Sequence, residues 1–213
     1  MPEYAAVLEK ALDDPSPLVV MIAAESLVGP GNPGFVEQVL AHLHRFAGWH
    51  PVVLARLLAD VGPEATPALR PALAETHRPG WVRIVVAQAL RTIRDLESAD
   101  VAVEVLGKET NPDLLVECLR LLAEVGESRH RKPLLPLLRS PEFPVRAQAL
   151  RALREVGGPE DLPFFREALE DDSPWVALEA ARGMEGLGGI EELKALAVSE
   201  DPRSTLARQV LAK

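Results

Sequence analysis

Apolar residues along the chain recur at helical spacing, in stripes that repeat one another. Val145, Ala149, Leu150, Leu153 and Val156 lie at i, i+4, i+5, i+8 and i+11, on one side of a helix, leaving Arg146, Arg151 and Arg154 largely on the other. The same stripe returns as Leu114, Cys118, Leu119, Leu122 and Val125, and again as Val176, Ala180, Ala181, Met184 and Leu187. An apolar residue and a glycine close each stripe, and the same pair stands at Val61-Gly62; the four glycines, 62, 126, 157 and 188, stand 64, 31 and 31 residues apart. The unit is therefore 31 or 32 residues long, and one unit sits unmarked between the first two glycines. In that interval Ala87-Gln88-Ala89-Leu90-Arg91 recurs as Ala147-Gln148-Ala149-Leu150-Arg151, so the unit is present without its glycine.

A glycine at the end of a stripe is predicted to take the left-handed conformation that closes a helix, so that the chain reverses into a second helix. After Gly157 that second helix is visible in Leu162, Phe165, Ala168 and Leu169. The matching pieces elsewhere are 35–46, 66–74, 99–106, 132–138 and 190–198. Each pair but one opens at a turn of the type Asp14-Pro15, Arg78-Pro79, Asn111-Pro112, Ser140-Pro141 or Ser173-Pro174, where an Asp, Asn or Ser oxygen is predicted to cap the first amides. The pattern predicts an all-α chain, one domain over 1–213, of six antiparallel helix pairs near 14–47, 50–75, 80–108, 111–139, 141–170 and 173–198. Single helices at 3–12 and 204–211 would cover the apolar faces that terminal units leave bare.

Such a unit cannot bury its own stripe, so its stability comes from its neighbours and the core is a ribbon. Alanines 89, 149 and 180 contribute closeness of approach rather than buried area. Prolines disturb the second helices. Pro71 removes an interior hydrogen bond, which predicts a short or bent helix at 66–74; Pro133 and Pro136 lie near the start of 132–138, where most lost amides would be unpaired anyway.

Composition narrows what such an array binds. The chain has 213 residues, 47% apolar and 4% aromatic, and a net charge of −9 from 23 basic and 32 acidic side chains. The charge is spread along the chain and argues against a surface that grips nucleic acid phosphates or an anionic leaflet. The longest apolar run, Leu18 to Ala24, has seven residues, against about 20 for a bilayer crossing, and the start Met1-Pro2-Glu3 lacks a signal peptide's basic flank. A cytoplasmic protein without a membrane partner is expected. Arginine exceeds lysine by 18 to 5, beside 19 prolines, a composition expected of a GC-rich, thermophilic bacterium.

The string Pro144-Val145-Arg146-Ala147-Gln148-Ala149-Leu150-Arg151-Ala152-Leu153, then Val156-Gly157, and Pro174-Trp175-Val176 with Ala180-Ala181, resembles the HEAT repeat, and most of all the bacterial HEAT-like subtype first associated with phycobilin lyases. The resemblance is strongest over 111–188 and weakest over 14–50, where the segment Val28 to Gly34 is longer than usual. It implies a right-handed α-solenoid whose second helices line a concave face, and a protein or peptide as partner. It also leaves two other readings: a tetrapyrrole lyase or carrier, and a DNA-binding or base-excision protein of the glycosylase branch.

The residues themselves carry little catalytic chemistry. There is no Gly-rich phosphate loop, no nucleophile elbow, and no Ser, His and acid set that the repeat brings together, so no catalytic residue and no cofactor is predicted. His42 and His44 are two residues apart on a helix and point about 200° apart, unlike a zinc-binding pair, so no metal site is predicted. His50, His77 and His130 are read as solvated or capping. Cys118 aligns with Ala149 and reads as a small buried hydrophobe.

One local excess of positive charge stands out. Arg129, His130, Arg131 and Lys132, with Arg139 one helix later, form either a solvated loop and helix start or a docking point for a carboxylate or phosphate. Glu167, Glu170, Asp171 and Asp172 oppose it one repeat on, in a dipolar surface that orients a partner or forms internal ion pairs. Phe164 lies roughly 100° off the stripe of Phe165 and is a candidate anchor for a partner. Trp49, Trp81 and Trp175, at the starts of first helices, read as staples against the adjacent repeat. The expected site therefore comprises Arg129, Arg131, Lys132, Arg139, Phe164, Arg166 and Glu167, on a non-enzymatic scaffold or adaptor.

Overall fold

A computed structural model describes residues 2–27, 34, 36–46 and 49–212, save the side chains of Pro2, Glu3 and His44. The long connection expected at 28–33, the first residue of the second helix expected at 35–46 and the His44 side chain lie outside the described residues. The fold class is all-α, in antiparallel helix pairs of the solenoid type: 76% is helix, and no strand occurs among the described residues. The chain divides into two compact units, which meet in sequence at Val105 and Leu106.

The N-terminal unit comprises α1 (Pro2–Ala11), α2 (Pro17–Leu27), α3 (Val36–His42) with a 3-10 turn Leu43–Phe46, α4 (Pro51–Ala59), α5 (Thr66–Ala74), α6 (Gly80–Ile93) and α7 (Ser98–Leu106). Helices α4 and α5 both pack on α6, burying Leu54, Leu58, Leu69, Leu73, Val86 and Leu90. Arg83 is buried among them, and its Nε donates to the Leu73 carbonyl at 2.8 Å. Helix α5 is short, nine residues, and carries Pro71 inside it.

In the C-terminal unit come α8 (Pro112–Val125), a 3-10 helix Lys132–Arg139, α9 (Phe143–Val156), α10 (Leu162–Ala168), α11 (Pro174–Gly186), α12 (Ile190–Ala197) and α13 (Ser204–Leu211). First helices stack in sequence, α8 on α9 and α9 on α11, with α13 against α11 and α12. The stripes read from the sequence form this seam: Leu114, Cys118, Leu119, Leu122, Val145, Leu150, Leu153, Val176 and Met184 are buried. Ala149 and Ala180 have no exposed surface, and Gly183 meets Phe165 so closely that a methyl group at Gly183 would overlap the ring. Small residues thus let the helices approach.

The helix ends correct the reading of the glycines. Gly62 and Gly188 are left-handed, with φ of 90° and 96°, as expected. Gly126 and Gly157 are extended, at φ −70° and −88°. They are glycines for want of space: a Cβ at Gly126 would overlap the Leu122 carbonyl and stand 2.7 Å from Val156 Cγ1, and one at Gly157 would overlap the Leu153 carbonyl and the Asp161 carboxylate. In the unmarked unit the left-handed residue is Arg94, at φ 61°, which stands 32 residues from both Gly62 and Gly126. Among the described residues it alone, apart from glycine, has positive φ.

The caps need correction as well. Asn111 caps α8, accepting from Asp113 N at 3.0 Å and Leu114 N at 3.3 Å, and Asp14 accepts from Ser16 N at 2.8 Å ahead of α2. Ser173 makes no such bond; the turn before α11 is held by Asp171, which accepts from Ser173 N at 2.9 Å. Ser140 accepts from Glu142 N at 3.3 Å, one step ahead of a helix that has no side-chain cap.

The second helix of the fourth pair is not an α-helix. Residues 132–139 form a 3-10 helix of eight residues, long for this conformation. Pro133 and Pro136, three apart, match its three-residue turn, and neither has an amide for the four-residue α bond.

Candidate functional site

In a 3-10 helix side chains three apart eclipse one another, so Lys132, Leu135 and Leu138 form one row and Pro136 and Arg139 part of the next. In α10 the positions i, i+3, i+4 and i+7 share a face, so Phe164, Glu167, Ala168 and the following Asp171 align. These two faces line an open groove of about 570 Å³, together with Glu170. Its floor is apolar, made by Leu135, Pro136, Leu138, Phe164 and Ala168, and its rims carry Lys132 and Arg139 on one side and Glu167, Glu170 and Asp171 on the other. Phe165, next to the half-buried Phe164, is fully buried. The offset between the two rings comes from one helical step, about 100°.

Of the residues expected from the sequence, Lys132, Arg139, Phe164 and Glu167 line this groove. The other three lie elsewhere. Arg131 extends across the repeat junction, its Nε 2.8 and 2.7 Å from the two oxygens of Asp161 and its Nη2 also bonded to that carboxylate. Asp161 is fully buried and also accepts from Gly158 N at 3.1 Å. Arg166 forms a fork with Glu192 on α12, at 2.7 and 2.5 Å, and holds that carboxyl below its ordinary pKa. Arg129 lies 3.1 Å from Glu127. His130, within the same basic run, is buried and accepts from Glu127 N at 2.8 Å, a capping role.

Most rim charges have internal partners. Arg146 forks onto Asp171 at 2.7 and 2.8 Å and, with the Ser173 amide, keeps that carboxyl below the usual carboxylate range. Arg203 reaches Glu170 at 3.2 Å, and the exposed Arg139 and Glu167 approach to 3.7 Å. Lys132 is exposed and makes no hydrogen bond or ion pair among the described residues. Periodicity alone missed the row: α-helical spacing of 3.6 keeps Leu135 beside Lys132 but turns Leu138, six residues on, about 120° away, whereas the three-residue turn aligns all three.

A second, shallower hollow of about 190 Å³ lies on the first helices, lined by Phe143, Pro144, Ala147, Gln148, Trp175 and Glu179. Trp175 is 66% exposed, which corrects its reading as a staple; Trp49 and Trp81 are half-buried. Residue Trp175 is the second of α11, where the preceding turn is held back by Asp171 and leaves its ring over open surface. Among the described residues no group of three or more His, Cys, Asp or Glu gathers as a metal-ligand set. No helix among them is long and apolar enough to cross a membrane.

Residues 101–185, which include both walls of the groove, match the family of HEAT repeats. No curated protein sequence matches the chain significantly. In structure the chain is similar to one from the complex of CpcE and CpcF of phycocyanin lyase from Nostoc sp. PCC7120, with a TM-score of 0.53 and 16% identity over 97% of this chain and 74% of that one. It is also similar to an engineered protein from a structural genomics programme, with a TM-score of 0.51 and 22% identity over 85% of this chain and 97% of that one. At such identities the likeness is one of fold, and it agrees with the 31- or 32-residue period and the paired helices: residues 101–185 match HEAT repeats, and the chain has the helical-repeat fold of its structural neighbours.

Proposed function

We propose that this protein is a non-enzymatic scaffold that holds a segment of another protein in the groove between residues 132–139 and 162–171. The observation that carries this reading is the groove itself. Its apolar floor lies in the open, and its volume falls within the range of about 300–1,000 Å³ that binding clefts occupy. A half-buried aromatic among apolar lining residues with charged neighbours is the arrangement of an interface anchor. The cross-repeat forks at Arg131, Arg146 and Arg166 hold both walls without occupying the floor, so the surface is preorganised and a ligand orders few side chains on binding.

The test compares wild type with Phe164→Glu and Trp175→Glu as baits in extracts of the native host, with thermal melting of each bait. A host protein retained by wild type and Trp175→Glu and lost by Phe164→Glu, with all baits melting cooperatively, is the expected outcome. Retention by Phe164→Glu at wild-type level overturns the assignment to this groove.

A further inference from the structure

We infer that the segment held in the groove is acidic as well as apolar: an extended peptide that places a Leu- or Phe-sized side chain on the floor and an Asp, Glu or terminal carboxylate at Lys132. The inference rests on the groove being the docking surface, and it follows from which rim charges are already committed. Asp171 is held by both nitrogens of the Arg146 fork, and Glu170 lies 3.2 Å from Arg203. Neither acid is available to a cation without breaking an existing pair. Glu167 and Arg139 face each other at 3.7 Å across the mouth and neutralise one another. Lys132 is left, exposed and without a hydrogen-bond or ion-pair partner among the described residues.

Counting the groove's charged residues with their partners, Lys132, Arg139, Arg146 and Arg203 face Glu167, Glu170, Asp171 and Asp201, so the set is neutral on an otherwise acidic protein, and Lys132 is the cation in it that has no partner among the described residues. The remaining −9 acts at longer range, where physiological salt screens it beyond about 8 Å. Geometry adds to the charge argument. Lys132 begins the row that Leu135 and Leu138 continue, with eclipsed side chains about 6 Å apart at the 3-10 rise of 2.0 Å per residue. An extended peptide rises about 3.3 Å per residue, so a peptide running along this row with a carboxylate at Lys132 puts the side chain two residues away beside Leu135, in the groove that Phe164 also lines. The recognised pattern is an acid spaced two residues from a large apolar side chain.

The experiment is selection of random dodecapeptides displayed on phage against the immobilised full chain, in parallel with Lys132→Glu and Phe164→Glu. Enrichment by wild type of peptides with an Asp or Glu two residues from Leu, Ile, Phe or Trp is expected. Their synthetic forms should bind Lys132→Ala about fivefold more weakly, as an exposed ion pair is lost, and Lys132→Glu more weakly still. Peptides selected by Lys132→Glu should carry Lys or Arg in the acid's place. Wild-type clones that are basic or uncharged, and that still depend on Phe164, overturn the acidic ligand while leaving the groove in place. Clones indifferent to Phe164→Glu, or no clones above background, overturn the groove reading itself.

Discussion

First helices end in two different ways, at Gly62, Arg94 and Gly188 on one side and at Gly126 and Gly157 on the other. At Gly62, Arg94 and Gly188 the chain turns through positive φ, whereas Gly126 and Gly157, both in the C-terminal unit, are extended and are small because their neighbours press on them. One sequence signal, an apolar residue followed by glycine, thus covers two physical needs. Where the backbone is left-handed, a side chain pays in conformational strain, about 1–2 kcal/mol for residues other than glycine. Where the backbone is ordinary, the glycine makes room, and at Gly157 the room is taken by the Asp161 carboxylate that anchors Arg131.

That last junction predicts the largest effect. Asp161→Ala leaves Arg131 partly buried without its counter-ion and the Gly158 amide without its acceptor, and should destabilise the protein by about 3 kcal/mol in chemical denaturation. Gly126→Ala comes next. At φ −70° a glycine-to-alanine change would ordinarily stabilise by about 0.4–1 kcal/mol, but overlap with Leu122 and Val156 should reverse the sign and destabilise by about 1–3 kcal/mol. Stabilisation by Gly126→Ala would break the comparison. Arg94→Gly has the opposite expectation, a gain of about 0.5–1 kcal/mol as the left-handed strain is relieved, read as a higher melting temperature.

Acid titration sharpens the same contrast in the C-terminal unit. Asp171 ionises below its ordinary value of 3.8 in the folded protein because of Arg146, so its pair stabilises fully above about pH 4 and weakens as the pH falls through the lowered value. Asp201, drawn to about 2 by its bonds with Arg203, loses its contribution in the same window, from about pH 4 down to 2. Asp171→Asn should lower stability at neutral pH and flatten its decline below pH 4; an unchanged slope would contradict the assignment. The smallest effect belongs to Trp175→Ala, which should shift stability by no more than about 0.5 kcal/mol because most of the ring is exposed.

The helical pairing and the buried seam were legible because a period of 31 or 32 residues and the 3.6-residue stripe reinforce each other at Leu114, Val145, Val176 and their successors. That Phe164 stands off the buried stripe of Phe165 was legible too, from one helical step between them. What the pattern could not show was the competition among arginines. Arg131, Arg139 and Lys132 look alike as a basic run, yet only the fold reveals that a buried Asp161 lies within reach of Arg131 and that none lies beside Lys132. Likewise Ser173 has a capping residue's chemistry, but Asp171 two residues earlier takes the bond. Contacts 25 to 30 residues apart, such as Arg146 to Asp171 and Arg131 to Asp161, are invisible to local propensity.

The central claim is that second-helix surfaces of the C-terminal unit, rather than its aromatic-lined first-helix hollow, receive the partner. Hydrogen–deuterium exchange of the full chain, with and without a peptide selected on it, addresses this directly. Slowed exchange confined to residues 132–139 and 162–171 is the predicted result. Slowing centred on α9 and α11 around Phe143 and Trp175, with the groove unchanged, would contradict it.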